Sequence, residues 1–477
     1  MLDRMHGGPS SAAAGTVVQG VSFFPRGGSS HVVRYLTGAL RDLGWRARIV
    51  AGSVGAAGQP GHAETFYRGL PVYAADFTPA LEAWRCGGDP LAQTVPMHSS
   101  YEDKAGAPDR FFGDVSPAVA ARQADAWRRI LVASGSEPPD ILHLHHLTPL
   151  HDAARQLWPT VATVTHLHGT ELLMLEEIEH STKTWPYAAY WVDRLRATAG
   201  VSDRVIVASS HVAQRAMSLL KLEPDRVTVI PNGVDTDHFR PLRLSTQEKL
   251  ALLRRWLVDE PLGWDESGQP GSIRYTPEDL AAFVDPTSGQ ARPVLLYVGR
   301  FTRPKRLPLL LRAYAKVRLR LGSAAPLLIW GGHPGEWEGE HPHTLVRELA
   351  LDGVFFVGWR DHDDLRLGFG CADLLVAPSV DEAFGSVYLE AMAAGLPVVA
   401  TASGTPGTLL NRNPSRPEGW LAQPDDEDSL TDILLTALTA PGARPPRAAA
   451  GLAFTRRRFS WQAIAEQVAT TYEAIRR

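Results

Sequence analysis

The feature that most constrains this fold is a repeated alternation of short apolar runs with longer amphipathic segments. Apolar runs of four to eight residues recur along the chain, and each is followed by ten or more residues with helical periodicity. Such alternation predicts parallel sheets covered by helices on both faces, since a parallel strand is reached through a crossover connection. The strand candidates begin near residues 17, 46, 141, 161, 204, 226, 294, 326, 353, 373 and 397.

Chain length and charge limit the classes of protein that this sequence can form. The chain has 477 residues, enough for two or three cores at roughly 150 residues each. Apolar residues make up 44% and charged residues 21%, which is typical of a folded enzyme and excludes a disordered chain. The net charge of −4 gives no general attraction to nucleic acid, so we expect no nucleic-acid partner.

Cysteine usage and the shortness of the apolar runs predict a cytoplasmic protein. The two cysteines, Cys86 and Cys371, build no disulfide framework and stand in no C-x-x-C spacing. No apolar run approaches the roughly 20 residues of a transmembrane segment, and the N-terminus is typical of a buried strand rather than a signal peptide. An amphipathic helix leaves peripheral contact with a membrane surface open. The sequence indicates no oligomeric state.

Turn-forming residues divide the chain into two parts. The segment VIPNGVDTDHFRP contains Pro-Asn-Gly and then Pro again, which is typical of a domain boundary. We therefore predict two doubly wound α/β domains over 1–232 and 233–459, followed by a C-terminal helix over 460–477 that could pack back on the first domain. Two stretches, 53–115 and 241–292, interrupt the alternation, and we expect peripheral loops with short helices there.

The loops that follow the apolar runs are the candidate sites, because ligands of open α/β sheets bind at the carboxyl ends of the strands. After the first run come Gly27, Gly28 and Ser29. Glycine lets the backbone approach a ligand, and a helix N-terminus offers free N–H groups to an anion. A plain strand-to-helix turn would contain much the same residues, so this loop carries little weight by itself.

The second half of the chain carries charged residues in two such loops. Arg300 and Lys305 follow the run at 294, and two cations there are able to neutralise a diphosphate. Glu382 follows the run at 373, and Glu390 lies near the start of the next helix, where a carboxylate can accept both hydroxyls of a ribose. Two simpler interpretations are a solvated basic turn and an exposed helix acid.

The order of the motifs identifies a family. The chain contains NGVD at 232, VGRF at 298 with Lys305, GW at 358, APS at 377, Glu382 eight residues before Glu390, EAMAAGLPVVAT at 390 and FSW at 459. Together they closely resemble the retaining GT-B glycosyltransferases of family 4. The match runs from about residue 205 to the C-terminus without the insert, and the N-terminal half agrees more loosely through GGSS, GALRDLG and HLHGTE.

The resemblance implies the GT-B fold, in which two doubly wound, Rossmann-like parallel-sheet domains face a cleft. The C-terminal domain would bind a nucleotide-diphosphate sugar as co-substrate, with UDP or GDP as the favoured nucleotide, and the N-terminal domain would bind the acceptor. The resemblance implies no further cofactor and no metal ion.

The resemblance also assigns roles to individual side chains. Arg300 and Lys305 match the pair that holds the diphosphate, and Glu390 matches the acid that binds the ribose hydroxyls. Glu382 matches the acid near the hydroxyls of the donor sugar. His168, in HLHGTE, matches the histidine at the donor sugar, where it stabilises positive charge on the transferring sugar or bonds to its 6-hydroxyl. The implied catalytic group is therefore His168, Glu382, Arg300 and Lys305.

Further positions of the family pattern are matched by loop residues. Trp359 and Arg360 occupy the place that lines the base. The loop whose N–H groups meet sugar and phosphate is matched by Phe384, Gly385 and Ser386, and the closing N-terminal loop by Gly27, Gly28 and Ser29.

Two departures from the family pattern affect the same region. Ala383 and Arg306 stand where the family usually has glycine. We expect Ala383 to narrow the donor-sugar pocket, and we expect Arg306 to place an additional cation against an anionic ligand or in solvent.

The expected chemistry follows from the charges that develop during transfer. Breaking a sugar–phosphate bond builds negative charge on the leaving diphosphate and positive charge on the anomeric carbon, so fixed cations at the phosphate should supply most of the stabilisation. The resemblance implies retention of configuration, and because the sequence offers no evident carboxylate nucleophile, we expect a front-face substitution. The nucleophile is a hydroxyl or similar group of a small-molecule, lipid or saccharide acceptor.

Three other interpretations stay open. Asp-x-Asp at 235, 361 and 426 would suit a divalent-metal glycosyltransferase, although charged loops produce this pattern readily. Six histidines between 143 and 168 raise the alternative of a metallohydrolase, since H-x-H on a strand puts both rings on one side. A sugar-nucleotide epimerase or phosphorylase would use the same fold.

Overall fold

The chain folds into two compact units, each built on one parallel sheet. The computed structural model describes residues 14–25, 27–104, 106–322, 325–380, 382, 384–410 and 417–476. Unit 1 contains the described residues up to Gly233 together with those from Trp461 onward, and unit 2 is Val234–Ser460. Across the described residues, no helix combines the length and the apolar character that a membrane span requires.

Unit 1 contains a seven-stranded sheet in the order β3-β2-β1-β4-β5-β6-β7, and every pair is parallel. The strands are β1 Gly15–Val21, β2 Trp45–Ser53, β3 Val72–Asp76, β4 Ile141–His145, β5 Ala162–His166, β6 Arg204–Val207 and β7 Val227–Val229. The order reverses between β1 and β4. In doubly wound sheets such a reversal opens a crevice beyond the carboxyl ends of the strands, where ligands bind.

Helices cover the sheet of unit 1, and the last helix of the chain is one of them. They are α1 Gly28–Asp42, α2 Ala63–Phe66, α3 Thr78–Arg85, α4 Pro117–Ser134, α5 Leu150–Leu157, α6 Thr170–His180, α7 Ala188–Val201, α8 Ser210–Leu220 and α17 Trp461–Ile475. Tyr472 of α17 is fully buried, and its ring lies 5.0 Å from that of Trp45 at 73°. Trp461 stacks on Tyr35 of α1 at 5.7 Å.

Unit 2 contains a six-stranded parallel sheet in the order β10-β9-β8-β11-β12-β13. The strands are β8 Leu295–Val298, β9 Leu327–Trp330, β10 Val354–Gly358, β11 Leu374–Val376, β12 Val398–Thr401 and β13 Gly419–Ala422. The helices are α9 Thr246–Arg254, α10 Leu307–Leu321, α11 Pro342–Glu348, α12 His362–Cys371, α13 Ser386–Ala393, α14 Gly404–Leu409, α15 Glu427–Thr439 and α16 Arg444–Arg458. Here the order reverses between β8 and β11.

All eleven strand candidates form strands, and two doubly wound parallel sheets confirm the predicted fold class. The structure adds β3 within 53–115 and the short strand β13.

The prediction of peripheral loops with short helices over 241–292 is confirmed for the short helices, such as α9, but it is wrong for two buried tryptophans. Trp256 and Trp264 of this segment are buried, at 0% and 1% exposure, and Trp264 packs in the central apolar cluster of unit 2. The indole of Trp264 donates to the carbonyl of Gly332 at 3.1 Å. Burying two indoles removes a large apolar area from water, which outweighs the polar composition of the surrounding segment.

Candidate functional site

An ion pair connects two loops at the reversal point of unit 2. Lys305 follows β8 and Glu382 follows β11, the two strands between which the order reverses. The Lys305 Nζ donates to the Glu382 carboxylate, and these side chains are 23% and 17% exposed. The structure therefore brings together two predicted site residues that are 77 positions apart in the chain.

Glu390 lies in the second turn of α13, the helix that follows this loop. Its side chain is half-buried, and it forms no hydrogen bond or ion pair with any residue that the structure describes. Burial raises the pKa of the Glu390 carboxyl from 4.5 to about 7. An acid that is withdrawn from water without a partner is typical of a binding site rather than of a solvated helix face, so the exposed-acid interpretation is wrong.

The turn into α13 depends on Gly385. This residue caps the helix with φ at 81°, and an added Cβ would lie 2.4 Å from Cδ2 of Tyr388. Tyr388 connects the helix to the end of β11, because its hydroxyl donates to the carbonyl of Ala377, the residue after β11, at 2.8 Å. Ser386 is exposed at the helix start, where N–H groups have no partner within the helix.

The remaining residues of this region have different environments. Arg300 is exposed, and its guanidinium forms no ion pair with the described residues, although its carbonyl accepts from the Tyr297 hydroxyl at 3.0 Å. Phe384 is 5% exposed, and its ring lies 6.3 Å from that of Phe459. Ala383 lies outside the described residues. Arg300 therefore stays available to a ligand, whereas Phe384 packs inside the unit.

Trp359 and Arg360 face in different directions. Trp359 is 50% exposed, and its ring lies 5.7 Å from that of the half-buried His333. The buried Arg360 guanidinium donates to the carbonyl of Trp256 at 3.0 Å and to that of Glu260, and desolvation lowers its pKa to about 10. The Trp359 ring is therefore accessible, whereas the Arg360 guanidinium bonds to the insert. That this loop lines the base stays a prediction.

Arg306 is engaged by a carboxylate of its own unit. It has φ at 52°, in the left-handed region where glycine is favoured. Its guanidinium makes a two-pronged contact with Asp425, with Nη2 to Oδ2 at 3.0 Å, and it also donates to the carbonyl of Arg303 at 2.7 Å. The backbone shape explains why glycine would suit this position, and the ion pair directs the added cation toward Asp425.

In unit 1, the predicted glycine loop forms the start of a long helix. Gly27 is the N-cap of α1, Gly28 opens the helix, and Ser29 is half-buried. A Cβ added to either glycine would meet nothing within 4 Å, so there is open space beside the backbone. The loop follows β1, at the reversal point of its sheet.

His168 follows β5 and belongs to a cluster of histidine side chains in unit 1. The rings of His143 and His145 stack at 4.7 Å and 4°, as expected for H-x-H on a strand. His145 Nδ1 lies 2.9 Å from His168 Nε2, and His143 Nε2 lies 3.2 Å from His166 Nδ1. Desolvation holds the pKa of His143, His145 and His168 well below 6.5, and it lowers that of His166 to about 3. These rings are therefore neutral near pH 7.

A metal site at this cluster has few free ligand atoms. His143, His145 and His166 offer nitrogens within 4.8 Å of one another. Five of these six ring nitrogens already have side-chain hydrogen-bond partners, and only Nε2 of His166 has none among the described residues. The contacts favour a hydrogen-bonded network of neutral rings over the ligand set of a metallohydrolase.

The three Asp-x-Asp pairs have a structural explanation. Asp361 and Asp426 are the N-caps of α12 and α15, where each accepts from a backbone N–H at 2.9 Å. Asp235 accepts from the N–H groups of Asp237 and His238 at 3.1 and 2.9 Å. Capping by Asp361 and Asp426 satisfies helix N–H groups that otherwise lack partners, and Asp235 accepts from N–H groups of a turn, so the first aspartate of each pair supports local structure.

Sequence reasoning missed the residues that contact this histidine network. Gln19 is fully buried on β1, and its amide donates to the Tyr472 hydroxyl at 3.0 Å. That hydroxyl lies 2.5 Å from His143 Nδ1. A polar glutamine inside the apolar run VVQGV was the available signal, whereas the role of Tyr472 depends on a contact across 453 positions.

Comparison with known proteins covers both units. A family model described as glycosyltransferase family 4 matches residues 26–238, and one described as glycosyl transferases group 1 matches residues 292–440. The D-inositol 3-phosphate glycosyltransferase of Stackebrandtia nassauensis is 30% identical in an alignment of 362 residues, which covers 73% of this chain and 72% of that protein. The protein of the same name from Nocardioides sp. is 28% identical over 73% of this chain and 71% of its own.

Solved structures with the same fold show lower sequence identity. Sucrose-phosphate synthase from Thermosynechococcus elongatus aligns with a TM-score of 0.65 at 20% identity, over 96% of this chain and 98% of its own. Anabaena HepE, solved in complex with UDP and glucose, aligns with a TM-score of 0.61 at 17% identity, over 96% of this chain and 100% of its own. These likenesses show the GT-B fold. The chain is a glycosyltransferase that belongs to family 4, the glycosyl transferases group 1.

Proposed function

We propose that this enzyme transfers a sugar from a nucleoside-diphosphate sugar to an acceptor hydroxyl, with retention of configuration at the anomeric carbon. The observation that carries the proposal is the Lys305–Glu382 pair at the reversal point of unit 2, followed by the unpartnered Glu390 on α13. Cation, sugar-binding acid and ribose-binding acid then lie in successive segments of one carboxyl edge, where ligands of doubly wound sheets bind.

In this proposal the diphosphate is held by fixed positive charge. Arg300 is unpaired among the described residues, and Lys305 is held in place by Glu382, so both can address phosphate oxygens with little reorganisation. The start of α13 adds backbone N–H groups and the positive end of a helix dipole. These groups stabilise the negative charge that grows on the leaving diphosphate, and they take the place of a divalent metal ion.

The two glutamates recognise hydroxyl groups of the donor. Glu390 accepts from the two ribose hydroxyls once it is ionised, which compensates for its desolvation in the free enzyme. Glu382 accepts from hydroxyls of the transferred sugar while it keeps its contact with Lys305. Trp359 and His333 offer their open ring surface to the base.

The transfer step in this proposal is a front-face substitution. The bond between the anomeric carbon and the phosphate oxygen breaks as the acceptor oxygen forms its bond on the same face of the sugar. The departing phosphate oxygen accepts the proton of the acceptor hydroxyl, so the bonding electrons and the proton are both accounted for. His168, whose ring is neutral near pH 7, is the residue that the family resemblance assigns to the donor sugar. This scheme needs no protein carboxylate on the opposite face of the sugar.

The nucleotide and the acceptor are proposed from chemistry and from relatives. UDP and GDP are the favoured nucleotides, and HepE was solved with UDP. The named relatives act on D-inositol 3-phosphate, so this compound is the first acceptor to test among small molecules, lipids and saccharides. We place acceptor binding in unit 1 and the enzyme in the cytoplasm.

A panel of nucleotide sugars tests the proposal. The thermal midpoint of the protein is measured in EDTA with UDP-, GDP-, ADP- and TDP-sugars, and the stabilising donor is then incubated with D-inositol 3-phosphate and with other acceptors. We expect one donor to raise the midpoint and to give a product whose anomeric configuration, read by NMR, matches the donor. Inversion, a strict need for a divalent metal, or a covalent glycosyl–enzyme found by mass spectrometry would contradict the mechanism.

Two lysine variants test in the same assay whether Lys305 belongs to the donor-binding site. Lys305→Ala removes the proposed diphosphate contact, whereas Lys316→Ala removes a surface lysine of the same unit that pairs with Glu427 and Asp428. Stabilisation by the donor should disappear in the first variant and persist in the second.

A further inference from the structure

We propose that Gln19 and His145 are positioning residues for His168, which fix the proton of its ring on Nε2 so that Nδ1 presents a lone pair to a hydroxyl of the donor sugar. The inference deepens the proposed function and rests on it for the contact between His168 and the donor. It adds two buried side chains, Gln19 and His145, which are hydrogen-bonded in series to the His168 ring and which we call the relay.

The relay begins at the buried amide of Gln19. Its Nε2 donates to the Tyr472 hydroxyl at 3.0 Å, so its Oε1 faces Nε2 of His145 at 2.9 Å. A carbonyl oxygen can only accept, and therefore Nε2 of His145 carries the ring proton.

The tautomer of His145 then determines the tautomer of His168. A neutral imidazole has one N–H, so Nδ1 of His145 is an acceptor, and it lies 2.9 Å from Nε2 of His168. Nε2 of His168 must therefore donate, which leaves the lone pair on Nδ1. That nitrogen makes no hydrogen bond to any described residue, and the His168 side chain is half-buried rather than enclosed. Burial and the neighbouring rings keep both histidines neutral, since each pKa lies well below 6.5.

The sheet holds the relay in one geometry. Gln19 on β1 pairs in register with His143 on β4, and His145 pairs with His166 on β5. The His145 ring stacks on that of His143 at 4.7 Å, and that of His168 stacks on His166 at 4.8 Å. Because the strand register and the ring stacking hold these side chains in place, we infer that the hydrogen bonds within the sheet, and not the ligand, determine the tautomer.

The relay specifies the chemistry of the group that Nδ1 can meet. A hydroxyl has a proton to donate to the lone pair, whereas a phosphate or carbonyl oxygen would place two lone pairs against each other. We therefore infer that His168 selects a sugar hydroxyl and discriminates against a fluorine or hydrogen at that position. Losing a hydrogen bond to a buried acceptor is expected to lower turnover by about tenfold or more.

Variants at His145 separate the relay from simple packing. In His145→Gln, the side-chain oxygen can still accept from His168 while its amide donates to Gln19. His145→Met fills a similar volume and can do neither. Long-range ¹H–¹⁵N spectra of the full chain with ¹⁵N-labelled histidine rings report the tautomer, and the His168 signal is assigned by its absence in His168→Gln.

We expect the Nε2–H tautomer of His168 in the wild-type protein and in His145→Gln, and a tautomer mixture in His145→Met and Gln19→Met. The Nδ1–H tautomer in the wild-type protein, or an unchanged tautomer in both methionine variants, would overturn the proposal. These spectra need no substrate, so they remain decisive if the proposed function fails.

Turnover supplies the second readout. With the donor and acceptor that react in the panel above, we expect His145→Met to lower kcat about tenfold with little change in the donor KM. The same substitution should have no further effect in a His168→Ala background, whereas a packing role would lower both backgrounds equally and thereby contradict the proposal. Wild-type turnover in His168→Ala would instead show that His168 has no catalytic role. The tautomer spectra would then be the test of whether Gln19 and His145 position the ring.

Discussion

The carboxyl edges of the two sheets have similar topology, but their predicted site residues have different hydrogen-bond partners. In unit 1, the residues behind His168 are neutral, buried rings joined by hydrogen bonds. His146 and Glu171 also form a buried contact at this edge, with Nδ1 2.6 Å from Oε1. In unit 2, Lys305 and Glu382 form an ion pair, and Glu390 has a pKa of about 7. Both edges lie next to a reversal of strand order, so the fold determines where a ligand site is and the loop residues determine its chemistry. In our proposals, the edge of unit 1 fixes the tautomer of His168, and the edge of unit 2 binds the diphosphate.

The largest effect is expected where the charged edge loses its cation. Lys305→Ala should lower turnover by about a hundredfold to a thousandfold, because charge on the leaving diphosphate is no longer compensated. Initial rates measure this change, with Lys316→Ala as the matched control. If both lysine variants kept wild-type rates, Lys305 would not stabilise the leaving diphosphate, and the difference between the two edges would not affect catalysis.

At the carboxyl edge of unit 1, His168→Ala should lower turnover by about a hundredfold, since we propose that the ring contacts the sugar and not the phosphate. The affinity for the free nucleoside diphosphate, measured by calorimetry, should stay within about twofold of the wild-type value. His180→Ala, an exposed histidine of the same unit, serves as the control. A large loss of nucleotide affinity in His168→Ala would contradict the assignment of the sugar contact to unit 1 and of diphosphate binding to unit 2.

The pH dependence of donor binding should come from unit 2. Glu390 must be ionised to accept two hydroxyls, so the affinity for a UDP-sugar should rise about tenfold from pH 6 to pH 8 and then level off. Glu390→Gln should bind more weakly and lose this dependence. The raised pKa also means that the folded state binds a proton more tightly than the unfolded chain, so its contribution to stability falls as pH rises from about 4.5 to about 7. A pH-independent wild-type affinity would exclude Glu390 from the ribose site.

The smallest effect is expected at Arg306. Arg306→Gly loses an exposed ion pair worth about 0–1 kcal/mol and relieves a left-handed residue that costs about 1–2 kcal/mol. The free energy of unfolding in urea should therefore rise by between about 0 and 2 kcal/mol, and turnover should stay within about twofold. A tenfold loss of donor affinity would reveal that Arg306 contacts phosphate, despite its pairing with Asp425.

Much of the fold could be predicted from the sequence, because buried parallel strands are nearly continuous apolar runs. The strands that were missed are those that lack this pattern. β3, with the sequence VYAAD, lies at the edge of its sheet and contains small and polar residues, and β13 has only four residues with glycine first. The insert at 241–292 was misjudged for the opposite reason, since two buried tryptophans outweigh a polar composition.

The candidate site could be predicted only where the family motifs are local in sequence. Lys305 and Glu382 were each found from their place after a strand, yet their pairing depends on the order of β8 and β11 in the sheet. The direction of the Arg360 side chain depends on carbonyls about a hundred positions away in the insert. The relay behind His168 depends on the register of three strands, which residue spacing alone does not specify.

The most direct test of the central claim is a crystal structure of the enzyme with the nucleoside diphosphate that stabilises it most. We predict that the diphosphate contacts Arg300 and Lys305 at the reversal point of unit 2 and that both ribose hydroxyls donate to Glu390. A nucleotide bound elsewhere, or a Glu390 carboxylate that faces no ribose, would contradict the account.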